Sequence, residues 1–118
     1  MKTIYEMTDT ELSMEHGRLK TSYNYETRPR AVGSPFPFDT AKCEELLNAM
    51  REIRVEMWRR GIHAPTADER GEYVEDLEDA KTALASLDGS KRTDKIYSKR
   101  YIIAKCVDAI AWIDGELK

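Results

Sequence analysis

The first candidates for a functional role are carboxylates that recur every three residues along one stretch of the chain. They are Glu69, Glu72, Glu75 and Glu78, with Asp76 and Asp79 alongside. Carboxylates are the hard oxygen ligands that Mg²⁺ prefers, and the ion needs several of them around it at short distance. A magnesium site would therefore require a second set of carboxylates on a facing helix.

This spacing resembles the E-x-x-E and E-x-x-D pairs with which all-α nucleoside triphosphate pyrophosphatases hold Mg²⁺, and the resemblance implies a metal-dependent nucleotide hydrolase. Elsewhere the only comparable spacing is Glu6-x-x-Asp9, which spans a predicted helix start, so the second half of such a site is missing. We therefore predict no metal site. Because charged runs opposite an apolar stripe are usually solvated, we interpret four of the residues as an acidic docking face for a basic partner. These are Glu72, Glu75, Asp76 and Asp79.

Two other stretches combine cations with aromatic rings, a composition that suits a base or ring stacked above a phosphate held by Lys or Arg. The first contributes Tyr23, Tyr25, Arg28 and Arg30, followed by Phe36 and Phe38. The second contributes Lys91, Arg92, Lys95, Tyr97, Lys99 and Arg100 at a helix start whose N–H groups would point at a bound anion. The alternative is that the cations are solvated and the tyrosines pack on the protein.

Motifs of known enzymes are missing from the sequence. It contains no phosphate-binding loop, dinucleotide-binding fingerprint, nucleophile elbow or zinc-protease motif. His16 and His63 stand alone, and Cys43 and Cys106 lie far apart among apolar helix positions. We therefore predict a non-enzyme without metal or cofactor, in which both cysteines are free.

Clear capping signals in the sequence mark where the helices that carry these residues begin. Capping boxes are formed by Thr8 with Glu11 and by Thr66 with Glu69, and Asp39 can cap the helix that follows the longest loop. The predicted helices span about residues 9–23, 39–60, 66–88 and 93 to the C-terminus, with a loop over 24–38. Short connections between the later helices favour antiparallel neighbours. The sequence thus predicts one all-α domain over residues 1–118, a small antiparallel bundle of about four helices with a long loop between the first two.

The last helix carries two adjacent apolar stripes, so we expect it to be the central and most buried helix. The stripes are Ile103, Val107, Ile110 and Leu117, and Ile102, Cys106, Ala109 and Ile113. A third line runs through Tyr101, Lys105, Asp108 and Trp112. Because two stripes already supply the buried side, we expect this third face to reach solvent and to contact a second subunit. The alternative is that helix one or the N-terminal segment covers Trp112.

The bulk composition limits the classes of function. A net charge of −3 argues against a general nucleic-acid binder, and no apolar run is long enough for a signal sequence or a membrane span. We expect a cytoplasmic homo-oligomer, without membrane contact, that inhibits or adapts by docking on a protein or nucleoprotein partner, a type common among phage and mobile-element proteins. The alternative is a sequestering protein for a nucleotide-like signalling anion, and a Mg²⁺-dependent hydrolase is the third hypothesis.

Overall fold

Four α-helices make up the fold in the computed structural model, which describes residues 2–31, 33–35 and 37–117. Phe36 lies outside the described residues. Helix α1 spans Asp9–Glu26, α2 Thr40–Arg59, α3 Arg70–Ser86 and α4 Thr93–Ile113. The described residues contain no strand. The predicted all-α bundle of four helices is confirmed.

The helix starts follow the capping signals of the sequence. Thr8 Oγ1 accepts from the Glu11 backbone N–H at 3.1 Å, and the Glu11 carboxylate accepts from the Thr8 backbone N–H at 3.0 Å. These bonds satisfy N–H groups that have no partner inside the helix. Asp39 caps α2 in the same way through the Lys42 N–H at 3.0 Å. Helix α1 ends three residues later than expected, at Glu26, and the N–H of its C-cap residue Thr27 donates to the Tyr23 carbonyl at 3.0 Å.

The α1–α2 pair contains the denser of two apolar cores. Four of its side chains are less than 2% exposed: Leu12, Tyr23, Cys43 and Met50. Leu19, Leu46 and Ile53 complete this cluster, and Tyr97 joins it from α4. The start of α4 therefore lies over the end of α1, where the Tyr23 hydroxyl donates to the Tyr97 carbonyl at 2.6 Å.

A smaller core joins α2 to the C-terminal half of α4. It contains Val55, Trp58, Ala109 and Trp112, with Tyr73 of α3 packed against it. The two indole rings meet edge to face with centroids 5.8 Å apart. Helix α4 thus crosses from the end of α1 to the second half of α2, and α3 packs along it on another side.

The expectation that α4 is the most buried helix is wrong. Helix α2 buries seven residues, α4 buries five, and α3 buries only Ala80. Val107 is 48% exposed, and Ile103, Ile110 and Leu117 of the same stripe are half-buried. The physical reason is that α2 and α3 cover two sides of α4 and leave its third side open.

The described residues contain no helix with the length and apolar composition needed to cross a bilayer. Both cysteines, Cys43 and Cys106, are buried and free, as predicted.

Candidate functional site

The acidic docking face lies along an outer flank of α3. Its four residues are all exposed, as expected: Glu72, Glu75, Asp76 and Asp79. Ala80, which is 4% exposed, marks the side of the helix that packs on α4. None of the four carboxylates has an ion pair or hydrogen bond among the described residues, whereas the neighbouring Glu78 pairs with Lys81 at 3.7 Å. The face therefore carries negative charge that the fold does not neutralise by direct contact.

A groove of about 360 Å³ separates this face from the basic side of α4. Asp76 and Asp79 line one wall of the groove, and Lys99 and Lys105 line the other. Tyr73 and Tyr101 line it too, together with the thiol of Cys106. Burial and then the Asp76 carboxylate raise the pKa of Cys106, which keeps the thiol protonated and unreactive at neutral pH.

The groove brings together charges that are far apart in the sequence, but its carboxylates all come from one helix. Within the part of the chain that the structure describes, no three His, Cys, Asp or Glu side chains are close enough to share a metal ion. The carboxylates of α3 face lysines across the groove, whereas a Mg²⁺ site would need further oxygen ligands there.

The loop arginines are engaged in folding the loop. Arg28 stacks on the Tyr25 ring, with its guanidinium carbon 3.7 Å from the ring centroid, and donates to the Tyr25 carbonyl at 2.7 Å. Arg30 donates to the carbonyls of Glu26 and Arg28, each at 2.6 Å. These side chains line a cleft of about 470 Å³ that also contains the carboxylates of Glu26 and Asp39. The cleft is therefore less electropositive than its arginines alone suggest.

Two of the tyrosines expected to bind a ligand are buried instead. Tyr23 is 1% exposed and Tyr97 is 7% exposed, so the expectation that their rings are available to a ligand is wrong. Both rings belong to the dense core, where Tyr97 packs against Tyr23 at 6.4 Å and against Phe38 at 5.0 Å between ring centroids. The guanidinium of Arg100 lies 5.0 Å from the Tyr97 ring centroid. The loop and the start of α4 thus meet as parts of the fold.

The other cations at the start of α4 point in different directions. Arg92 pairs with Asp94 at 2.9 Å. That bond, together with backbone N–H groups at the helix start, holds the pKa of Asp94 below its ordinary value. The helix start is therefore already supplied with a carboxylate. Lys91 is exposed, and Lys95 and Lys99 line a cleft against the end of α3.

The expectation that Asp108 and Trp112 face solvent is wrong. They are 7% and 8% exposed, and α2 covers them. Asp108 accepts from Arg54 Nη2 at 2.7 Å and from Arg51 Nε at 3.0 Å, and Trp112 packs on Trp58. Along the same line, Tyr101 is half-buried and Lys105 is exposed. The sequence did hold a signal for this ion pair. Arg54 lies four residues after Met50 in the apolar stripe of α2, and a buried arginine needs a counter-charge such as Asp108.

Two arginines, Arg60 at the end of α2 and Arg54 within it, have structural roles that were not predicted from the sequence. Arg60 donates to the carbonyls of Met7 at 2.6 Å, Ile4 at 3.2 Å and Tyr5 at 3.3 Å, and to the Asp9 and Glu56 carboxylates. It therefore clamps the N-terminal turn onto the end of α2. Among the described residues, Nε and Nη1 of the buried Arg54 and Nε2 of His16 have no hydrogen-bond partner. Burial, then the charges of Arg54, Lys105 and Lys20, lower the pKa of His16.

Comparison with protein-family models, curated proteins and solved structures finds no match for this chain. Among the surfaces described above, the acidic docking face is the one whose side chains are all exposed and have no ion pair or hydrogen bond within the described residues.

Proposed function

We propose that the protein is a non-catalytic binding protein that docks on the basic surface of a protein or nucleoprotein partner through its acidic docking face. The observation that carries the proposal is the set of four exposed α3 carboxylates without partners in the described residues: Glu72, Glu75, Asp76 and Asp79. Like charges held side by side on one helix repel one another, and a cationic partner relieves that repulsion.

The shape of the face favours a partner that otherwise binds nucleic acid. A helix ridge of carboxylates presents negative charge in a row, as a phosphate backbone does, so it fits the basic groove of such a partner. Tyr73 and Tyr101 in the adjoining groove add aromatic surface next to the charges. Aromatic residues beside charged ones are typical of the energetically important part of an interface. Docking there would block the partner's nucleic-acid surface and act as inhibition.

Zero-length carbodiimide cross-linking in a lysate of the source cells tests this function, because it joins carboxylates to the lysines they contact. We expect mass spectrometry to place the cross-links on the acidic docking face. The triple variant Glu72→Gln, Glu75→Gln, Asp79→Asn should lose the partner, because long-range attraction and close charge pairs are both removed.

A matched control removes the same charge elsewhere. Glu44, Glu45 and Glu52 of α2 are also exposed, and their triple Gln variant has the same net charge as the α3 variant. The control should retain the partner. Equal loss in both variants would reduce the effect to net charge, and retention by the α3 variant would contradict the proposed docking face.

One feature favours the second hypothesis, a sequestering protein for a nucleotide-like anion. Tyr25 is 60% exposed and already stacked with Arg28 at the edge of the loop cleft. A ligand that binds only the native state raises its melting temperature by mass action. Stabilisation by nucleotides or cyclic nucleotides without Mg²⁺, lost in Tyr25→Ala, would favour this function over docking, and Mg²⁺-dependent turnover in the same screen would contradict a non-enzyme.

A further inference from the structure

Four basic side chains from three helices come together around the ring of Tyr101. We call them the cationic cluster: His16 and Lys20 of α1, Arg54 of α2 and Lys105 of α4. Lys20 Nζ lies 4.2 Å from the centroid of the Tyr101 ring, and the guanidinium carbon of Arg54 lies 5.8 Å from it. Burial, and then the charges of the other three members, lower the pKa of His16. The fold therefore holds like charges close together where the three helices meet.

Two members of the cationic cluster have buried nitrogen atoms without a hydrogen-bond partner among the described residues. The Arg54 side chain is 7% exposed, and its Nη2 donates to Asp108, but its Nε and Nη1 have no acceptor. His16 Nε2 is unpaired in the same way. Buried polar groups in folded proteins are nearly always paired, and unpaired charged groups are the most costly. These atoms therefore require a partner that the described chain does not supply.

The carboxylate at this place does not balance the positive charge around it. Asp108 is shared by two arginines, because it accepts from Arg51 Nε at 3.0 Å and from Arg54 Nη2 at 2.7 Å. Lys20 donates to the neutral amide oxygen of Asn24 at 3.0 Å, and burial lowers the pKa of Lys20. The remaining positive charge favours an anion from solution.

We propose that the cationic cluster binds a tetrahedral oxyanion, the phosphate or sulfate group of a small ligand. The oxygens of such a group point in several directions, which suits donors that come from three helices, whereas a planar carboxylate pairs in one plane with a guanidinium. Arg54 and His16 form the inner side of the site. Lys20 and Lys105, which are half-buried and exposed, form the side toward solvent. The flexible Lys20 gives access when its ammonium leaves the Tyr101 ring for the anion.

This site is independent of the proposed function. Helix α3, which carries the acidic docking face, contributes no member to the cationic cluster. The site also differs from the two basic stretches of the sequence, residues 23–30 and 91–100, because it takes its members from three separate helices. Either proposal can therefore fail without the other.

Melting temperatures in inorganic phosphate test the site, with sodium chloride of the same ionic strength as the reference. Phosphate should raise the melting temperature of the native protein above that in chloride, and a concentration series gives the apparent dissociation constant. The double variant Lys20→Gln, Lys105→Gln should raise this constant at least about tenfold, because two charge-assisted contacts are lost. The matched control Lys91→Gln, Lys95→Gln removes the same charge from exposed residues near the start of α4 and should keep the native constant.

A second variant removes the inner side of the site. Arg54→Met, Asp108→Leu takes away the guanidinium together with its counter-charge, so no unpaired charge is left buried, and it should abolish the effect of phosphate. The lysine variant decides the matter if this one fails to fold. Equal melting temperatures of the native protein in phosphate and chloride would overturn the proposal, since buried water would then be the missing partner. An equal loss in the matched control would overturn it too.

A nucleoside monophosphate in the same series distinguishes two sources of the group. Tighter binding than that of inorganic phosphate, lost in the lysine variant, identifies an organic phosphate ester, and equal binding identifies a free oxyanion. Binding that is lost in Tyr25→Ala but unchanged in the lysine variant belongs to the loop cleft and contradicts the cationic cluster.

Histidine titration by NMR tests the site without any variant. The chain has two histidines, and the exposed His63 serves as the internal control. An anion beside His16 stabilises its protonated form, so the pKa of His16 should be higher in sulfate than in chloride of the same ionic strength. Sulfate keeps a constant charge over the pH range in which histidine titrates. The titration curve of His63 should be the same in both salts, and the same result for His16 would contradict the proposal.

Discussion

The two halves of the molecule bury their apolar residues to very different extents. In the α1–α2 half, Leu12, Cys43 and Met50 have no exposed surface. In the α3–α4 half, α3 runs for 17 residues and buries only Ala80. The first half therefore supplies most of the core, and the second half supplies the acidic docking face.

The halves are joined through α4 by contacts of different kinds. At its start, Tyr97 packs into the dense core, and further along, Asp108 and Trp112 meet Arg54 and Trp58 of α2. Buried polar groups of this kind specify one arrangement only when they are paired.

Breaking the ion pair between Asp108 of α4 and Arg54 of α2 should lower the stability of the protein most. Asp108→Ala leaves Arg54, whose side chain is 7% exposed, without its counter-charge. Loss of one partner of a buried ion pair costs about 3–5 kcal/mol, which urea unfolding followed by circular dichroism would measure. The double variant Arg54→Met, Asp108→Leu should recover most of that stability. A loss below about 1 kcal/mol for Asp108→Ala would show that Arg54 is hydrated rather than buried.

Matched leucine truncations test the difference between the halves directly. Leu12→Ala removes a fully buried side chain of α1 and should lower the free energy of unfolding by about 3 kcal/mol. Leu84→Ala removes a half-buried one of α3 and should cost less than about 1.5 kcal/mol in the monomer. Urea unfolding of both variants measures the two losses of unfolding free energy. Equal costs would mean that the α3–α4 half is as tightly packed as its partner.

The clamp at the N-terminal turn should contribute less. Arg60→Gln removes hydrogen bonds to three carbonyls and should lower the free energy of unfolding measurably, with faster amide exchange over residues 4–9. Arg59→Gln is the control, because Arg59 is about half exposed and only 3.9 Å from Glu56, which predicts a cost below about 0.5 kcal/mol. Similar losses in the two variants would contradict the clamp.

The smallest effect should be a dependence on pH through His16. The fold lowers the pKa of His16, so the unfolded chain binds the proton more readily than the folded one. The free energy of unfolding should therefore decrease as the pH falls below 6.5, the ordinary pKa of histidine. The groups around it are Arg54 on α2, Lys105 on α4 and Lys20 on α1, all cationic. The melting temperature should drop more between pH 7 and pH 5 in the native protein than in His16→Gln. Parallel curves would contradict the assignment.

Capping residues and periodicity made the helices predictable from the sequence, whereas the side of each helix that is buried depends on how the helices pack. The Thr8 and Asp39 caps lie in the sequence itself, so the helix starts follow from it. Periodicity shows which residues share a stripe but not which neighbour each stripe meets. Helix α4 is apolar on several sides. Helix α2 packs on the side that contains Asp108 and Trp112, where Arg54 pairs with Asp108 and Trp58 packs on Trp112. The side of Val107 was left open instead.

The exposure of the acidic docking face was predictable, but the burial of the tyrosines was not. Glu72 and Asp79 are exposed, and charge alone is enough to keep them in water. Tyr23 and Tyr97 have rings that suit either a ligand or a core, and sequence does not distinguish the two. They are buried where the end of α1 meets the start of α4, a long-range contact in which the Tyr23 hydroxyl donates to the Tyr97 carbonyl.

The clamp formed by Arg60 has an evolutionary consequence. Three of its acceptors are main-chain carbonyls, at Ile4, Tyr5 and Met7, and every amino acid supplies a carbonyl. Tyr5 is 67% exposed, and Arg60 bonds its backbone carbonyl rather than its side chain. In descendants of this sequence we therefore expect the residue at position 5 to drift freely. The guanidinium at position 60 should persist beside its carboxylates at positions 9 and 56.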